Sequence, residues 1–289
     1  MTRTLLALVA WLLALPVLAQ APEVKITAIK DSLYLLQGRG GNVVASVGDD
    51  GVLMIDNDYG NYQPAYQKAL DSLGNDQARF VINTHWHGDH TGGNAAWAQR
   101  GGVVMAHDNV RQRLSTRQVN EFFGRTTEAS PAAAWPLVTY ADSLALHVNG
   151  DTVEVQHYPA GHTDGDSVVF FVKANVVHMG DHYFKDRFPF VDLASGGSVD
   201  GFVDNIAALL ERVDGKTVIV PGHGSLATRE DLQRYHAMLL ETRKTVRDMQ
   251  SQGMNLEAIQ ARGLGDKWKS WGGGFINEAN WISFIVSSS

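Results

Sequence analysis

From residue 24 onward, apolar and polar positions alternate in short runs, broken at intervals by stretches of helical spacing. Residues 24–29, 32–37, 42–47 and 51–56 read as β-strands, parted by the Gly- and Asp-rich turns at 38–41 and 48–51. A helix is predicted over 62–73, ending near Gly74 and Asn75, followed by a strand at 79–83. A second series follows, with strands predicted at 103–106, 144–148, 152–157, 167–172 and 175–178. Phe202, Ile206, Leu209 and Leu210 recur on one face of a helix over 202–212, and a strand at 217–220 ends at Pro221. Thr228 and Asp231 mark the start of a long helix over 229–252 that stops at Gly253, and residues 275–286 form a terminal helix. Residues 118–136 lack periodicity and read as a long loop, a kind of segment that is usually functional or mobile.

The order is strands, helix, strand, polar cluster, and then the same again. Two half-domains of similar make-up suggest an α+β fold of packed sheets with helices outside. No Pro/Ser-rich linker or charge run divides residues 20–289, which are expected to form one domain with a C-terminal helical extension.

The first residues break this pattern. Arg3 precedes an apolar stretch of about 14 residues from Leu5 to Leu18, short for a membrane span and typical of a secretory leader. Val17-Leu18-Ala19 predicts cleavage after residue 19, with Ala19-Gln20-Ala21 offering a second cut two residues on. The expectation is a periplasmic or secreted protein with no stable membrane span after cleavage; an uncleaved N-terminal anchor is the alternative. The chain of 289 residues has no cysteine, so neither disulfides nor thiolate ligands are available to it. A formal charge of −7 argues against a general nucleic-acid binder.

Eleven histidines are present, four polar residues of ligand type falling within six positions: His85-Trp86-His87-Gly88-Asp89-His90, directly after a predicted strand. On an extended or turning segment alternate residues share a face, so His85, His87 and Asp89 converge, and a turn at Gly88 brings His90 beside Asp89. Imidazole and carboxylate are the donors expected for zinc or a similar divalent ion. Three further places look like partners: Gly161-His162-Thr163, Gly180-Asp181 and Pro221-Gly222-His223-Gly224, each at a strand end or in a glycine-flanked turn. Seven ligands exceed the needs of one four-coordinate ion but suit two ions sharing a carboxylate. Such a pair lowers the pKa of a bridging water, giving hydroxide at neutral pH. His107, His147, His157, His178 and His236 lie in predicted elements without ligand neighbours and read as structural. His182 follows Asp181 and either lines the pocket or orients a ligand.

With these motifs in view, the chain resembles the metallo-β-lactamase superfamily. His85-Trp86-His87-Gly88-Asp89-His90 matches its H-x-H-x-D-H signature, and the three later motifs follow in the same order, over roughly residues 25–250. The resemblance implies a four-layer αββα sandwich with the site along one edge. It also implies one metal on His85, His87 and His162, a second on Asp89, His90 and His223, and Asp181 bridging. Asp89 and Asp181 would then be the carboxylates closest to the chemistry.

Export and motif spacing are similar to class B β-lactamases, but the commonest of these carry Cys where Asp181 stands. They also carry a substrate-binding lysine just beyond; Lys185 lies nearby, either gripping a substrate carboxylate or serving as a surface lysine. Asp181 instead resembles the bridging carboxylate of glyoxalase II-type thioesterases and lactonases. The expectation is therefore an exported dinuclear zinc hydrolase acting on a small carbonyl substrate, with β-lactams as one candidate. The alternatives are a thioesterase or lactonase, or a catalytically silent periplasmic metal-binding protein. Iron or manganese also suits the N and O donor set. Trp86, Phe122, Phe123 and Trp135 are candidates for an apolar substrate wall, or else core packing under a loop.

Overall fold

The computed structural model describes residues 22–75 and 78–288. The leader expected over residues 1–19 lies outside them.

Strands β1 (Lys25–Lys30), β2 (Leu33–Gln37), β3 (Val43–Gly48) and β4 (Gly51–Ile55) form an antiparallel meander. Helix α1 (Gln63–Ser72) then crosses to β5 (Ala78–Ile82), which lies parallel to β4. Short helices α2 (Gly88–Thr91) and α3 (Asn94–Gln99) lead to β6 (Val103–His107), and α4 (Asp108–Leu114) follows. A two-stranded hairpin, β7 (Gln118–Asn120) and β8 (Arg125–Thr127), precedes β9 (Val138–Tyr140), which closes a seven-stranded sheet of order β1-β2-β3-β4-β5-β6-β9.

The second sheet contains β10 (Ser143–Val148), β11 (Asp151–His157), β12 (Ser167–Phe171), β13 (Val176–His178) and, parallel to β13, β14 (Val218–Val220). Helices α5 (Val199–Arg212), α6 (Arg229–Ser251), α7 (Leu256–Arg262) and α8 (Glu278–Ser287) complete the chain.

Strand alternation builds four layers from three apolar seams. Leu36, Val43, Ala45, Val52, Met54 and Val81 face outward from the first sheet onto Tyr66, Leu70 and Trp97 of α1 and α3. Their neighbours Leu35, Val44, Leu53, Ile55 and Ile82 face inward onto Val153, Val155, Val169, Phe171 and Val220 of the second sheet. Val168, Phe170, Val177 and Ile219 look the other way, onto Phe202, Ile206 and Leu209 of α5 and onto α6 and α8. This is the αββα sandwich. No helix among the described residues is long and apolar enough to cross a membrane.

Two elements differ from the sequence reading. The expected loop at 118–136 contains the β7–β8 hairpin, whose three-residue strands are too short for an alternation to read. The terminal helix begins at Glu278, capped by the Asn277 side chain accepting from the Asn280 N–H, so Phe275 stays outside it. The long helix has the reciprocal Thr228–Asp231 capping box that its sequence suggested. Trp281 sits in the core and donates its indole N–H to Thr242 Oγ1 at 2.9 Å, tying α8 to α6.

Candidate metal centre

Each of the seven ligand-type residues stands at the end of a strand or in the turn beyond it. Strand β5 delivers His85 and His87, the single turn of α2 carries Asp89 and His90, and the β11–β12 turn carries His162. Asp181 follows β13 and His223 follows β14. Side-chain donors of His85, His87, His162 and Asp181 lie within 4.8 Å of one another, as do those of Asp89, His90 and His223.

Asp181 stands between the two groups. Its Oδ2 is 3.8 Å from His85 Nε2 and 3.5 Å from His162 Nε2. Its Oδ1 is 3.2 Å from His90 Nε2 and 3.4 Å from His223 Nε2. Asp89 Oδ2 is 3.4 Å from His223 Nε2 and 3.7 Å from His90 Nε2. His87 turns Nδ1, not Nε2, toward His162 Nε2, at 2.8 Å.

The backs of four of the five rings are held by a second partner. His90 Nδ1 meets Asp56 Oδ2 at 2.8 Å, and His85 Nδ1 meets Thr84 Oγ1 at 3.0 Å. Thr84 donates its hydroxyl to Asp56 Oδ2 at 2.8 Å. His162 Nδ1 reaches the Phe190 carbonyl at 2.7 Å, and His87 Nε2 reaches Asp192 Oδ2 at 3.0 Å. These contacts fix which nitrogen faces inward. Asp56 and Asp192 carried no local signal in the sequence, since their partners are 34 and 105 positions away.

A divalent ion fits this donor set on a specific observation. His85 Nε2, His90 Nε2 and Asp181 Oδ1 are buried with no hydrogen-bond partner, although buried polar atoms are nearly always satisfied. All three point to the shared centre, and every donor is N or O. Glycine makes room for it: a Cβ on Gly222 would lie 2.0 Å from Asp181 Oδ1, and one on Gly41 would lie 2.2 Å from His90 Cε1.

The electrostatics follow from burial and the carboxylates. Burial pushes His85 below the ordinary histidine range and His162 down to about 4. Burial also opposes charge on His90, but Asp181, Asp89 and Asp56 outweigh it and hold the ring well above that range. His223 is likewise raised to about 9 by Asp181 and Asp89 against burial. Burial works against ionised Asp89, yet His90 and His223 hold it down to about 2.

The centre opens into a cavity of about 550 Å³, whose wall includes Trp86, Phe123, Phe184, Phe190 and Phe275. Among the sequence candidates, Trp86 and Phe123 stand on this wall. Four others do not. Lys185 donates to the Leu226 carbonyl at 2.7 Å and pairs with Asp231 at 3.1 Å, so its ammonium is engaged outside the cavity. Phe122 packs on Phe284 and Phe123 beside the hairpin turn, against a neighbouring pocket. His182 is buried behind the centre, 3.1 Å from Asn205 Nδ2 and between Tyr158 and Phe202, and does not line the cavity. Trp135 donates its indole N–H to the Ser130 carbonyl at 2.9 Å and packs beneath the loop. Phe275 and Arg187 are wall residues that sequence reasoning passed over.

Comparison with known proteins agrees with this geometry. A family model described as the metallo-beta-lactamase superfamily matches residues 36–223. An uncharacterized protein of Mycobacterium leprae is 29% identical over 166 residues, which is 47% of this chain and 75% of that protein. One from Mycobacterium tuberculosis is 27% identical over 170 residues, with the same coverage of 47% and 75%. Among solved structures, DIM-1 metallo-beta-lactamase superposes with a TM-score of 0.61 at 17% identity, covering 75% of this chain and 97% of that one. A doubly substituted sec-alkyl sulfatase, PisA1, gives a TM-score of 0.68 at 16% identity, covering 91% of this chain and 50% of that one. At such identities the two structures speak for the fold.

Proposed function

The chain belongs to the metallo-β-lactamase superfamily, and on that premise we propose that it is an exported, dinuclear zinc hydrolase that cleaves an ester-type bond, in an ester, thioester or lactone, of a small substrate. One observation carries the reading. The two oxygens of a single buried carboxylate, Asp181, face two different histidine pairs. One cation would take His85, His87, His162 and Asp181, and the other Asp89, His90, His223 and Asp181. When bound, such a pair acidifies water and polarises the bond to be cleaved.

The chain's own residues do the rest. Asp56, Thr84, Asp192 and the Phe190 carbonyl aim the imidazoles, so the donors are ordered before substrate arrives. Asp89, ionised and on the cavity wall, is placed to accept a hydrogen bond from attacking water and so orient it. Phe123, Phe190 and Phe275 exclude solvent from one side.

An ester-type bond is favoured over a β-lactam because Lys185 is anchored to Leu226 and Asp231, leaving no lysine at that position to receive a lactam carboxylate. The test is a panel of ester, thioester, lactone and the β-lactam nitrocefin on purified, zinc-loaded mature protein. Turnover of an ester-type member above an Asp89→Ala control is expected. Turnover of nitrocefin alone would replace the ester reading by β-lactam hydrolysis. Less than about one metal equivalent per chain, with no turnover anywhere, would leave a metal-binding protein instead. Export is checked by N-terminal sequencing of secreted material, which is expected to begin at Gln20.

A further inference from the structure

Most of the described arginines of this acidic chain donate to an acceptor within it, several of them to carboxylates. Arg113 pairs with Asp164, Arg212 with Glu154, Arg234 with Asp186 and Asp231, and both Arg243 and Arg247 with Asp200. Arg79, Arg111, Arg229 and Arg262 donate instead to carbonyl oxygens or a methionine sulfur. Among the described residues Arg39, Arg100, Arg125 and Arg187 make no side-chain hydrogen bond or ion pair, and three of these four line the cavity described above. Arg187 is the informative one, because it is half-buried and its stem packs on Gly274. A guanidinium drawn partly out of water without an anion gives up hydration that nothing in the chain replaces. Arg125 lies over the Phe123 ring, 5.7 Å from its centroid, and Phe123 in turn meets Phe275 at 5.4 Å. Phe275 adjoins Gly274 in the chain, so Arg125 and Arg187 flank one aromatic pair.

The apolar surface is biased to the same place. Tyr59 (39%), Val119 (49%) and Phe275 (63%) are among the few large apolar side chains that remain exposed, and all three line this cavity. Exposed apolar side chains gathered at one mouth mark a binding surface, whereas scattered ones do not. From the joint placement of unpartnered arginines and exposed aromatics at one mouth, we infer that the substrate is an amphiphilic anion. Its apolar body lies along Val119, Phe123 and Phe275, and its carboxylate or sulfate is read by Arg187 with help from Arg125. This inference rests on the hydrolase reading for the word substrate, but the anion site itself can be tested by binding alone.

The experiment compares decanoate, decyl sulfate and decanol by calorimetric titration into the zinc-loaded protein, below their aggregation thresholds. Both anions, or the one acid type the site prefers, are expected to bind tighter than decanol. Arg187→Ala should weaken anion binding about tenfold while leaving decanol unchanged, the scale of one charged hydrogen bond. Arg100→Ala removes the same charge far from the cavity and should change neither. Decanol binding as tightly as the anions would overturn the inference. So would an Arg187→Ala protein that matches Arg100→Ala. Anion binding without turnover of any ester would leave this site standing and remove the hydrolase reading instead.

Discussion

Replacing Asp56 by Asn separates the role of a ligand from that of the residue behind it. Asp56 is fully buried; Oδ1 accepts the Thr84 N–H at 2.8 Å, and Oδ2 meets both Thr84 Oγ1 and His90 Nδ1 at 2.8 Å. The carboxylate accepts from all three, so His90 keeps its proton on Nδ1 and presents the Nε2 lone pair inward. An amide keeps the volume and the bond to Thr84 N, but it turns an N–H toward His90 Nδ1. The ring then either faces donor against donor or moves its proton to Nε2, where no metal can be held. Losing a charge-assisted bond of about 1.5–3 kcal/mol corresponds to a 10–100-fold loss of affinity at that position. Equilibrium dialysis against a chelating buffer, followed by metal analysis, reads the effect. The wild type is expected to retain two equivalents, and Asp56→Asn one, at the His85–His162 side, with an unchanged circular dichroism spectrum. Two equivalents held with wild-type affinity would refute the tautomer argument.

Three further outcomes follow from the same geometry. Asp181→Ala removes the two oxygens that face both sets of histidines, so metal content should fall below one equivalent and hydrolysis should cease; unchanged metal content would mean that the bridge is misassigned. In the metal-free protein His90 and His223 have folded pKa values above the ordinary 6.5, about 9 for His223. Their stabilisation is therefore complete below pH 6.5 and lost as pH rises through about 9. Thermal midpoints in chelator should fall between pH 6.5 and 9.5, and a flat profile would contradict the shifts. Lys185→Ala should leave kcat/KM within about twofold and cost at most about 1 kcal/mol of stability, since only the Asp231 pair and the Leu226 contact are lost. A tenfold rise in KM would return Lys185 to the substrate.

What could be read from the sequence is what depends on neighbours in the chain. The run from His85 to His90, the glycine-flanked His162 and His223, and the Thr228 cap each announce themselves locally. The layered fold follows from alternation strong enough to assign faces, as in Leu35 against Leu36 and Val43 against Val44. Long-range pairing left no such trace. Asp192 looks like any turn aspartate, yet it holds His87 with one oxygen and accepts the Asn120 amide of the hairpin with the other, at 3.0 Å each. Phe275 was absorbed into a helix because apolar residues follow it; the Asn277 cap excluded it and left it at the cavity. The hairpin has no fully buried residue on either of its three-residue strands, so no hydrophobic period marks it.

The placement of the centre follows from how the two sheets are joined. Strands β4, β5 and β6 run parallel in one sheet and β13 and β14 in the other, so their carboxyl ends open on a common edge. Asp56, His85, Asp181 and His223 each follow such an end, which is where open α/β sheets bind ligands. The apolar layer between the sheets holds them together but is non-directional, and it cannot by itself set a spacing that suits metal coordination to within about 0.2 Å. Polar bonds across the edge supply that precision. Asn42, just before β3, donates its N–H to the Gly222 carbonyl at 2.8 Å and its amide to Pro221 and Gly224 carbonyls at 2.8 and 2.9 Å. Its own carbonyl accepts from His178 at 3.0 Å. One buried asparagine thus joins the first sheet to the segments that carry Asp181 and His223. The spacing between the two halves of the centre is set by this backbone clamp, and the ligands inherit it.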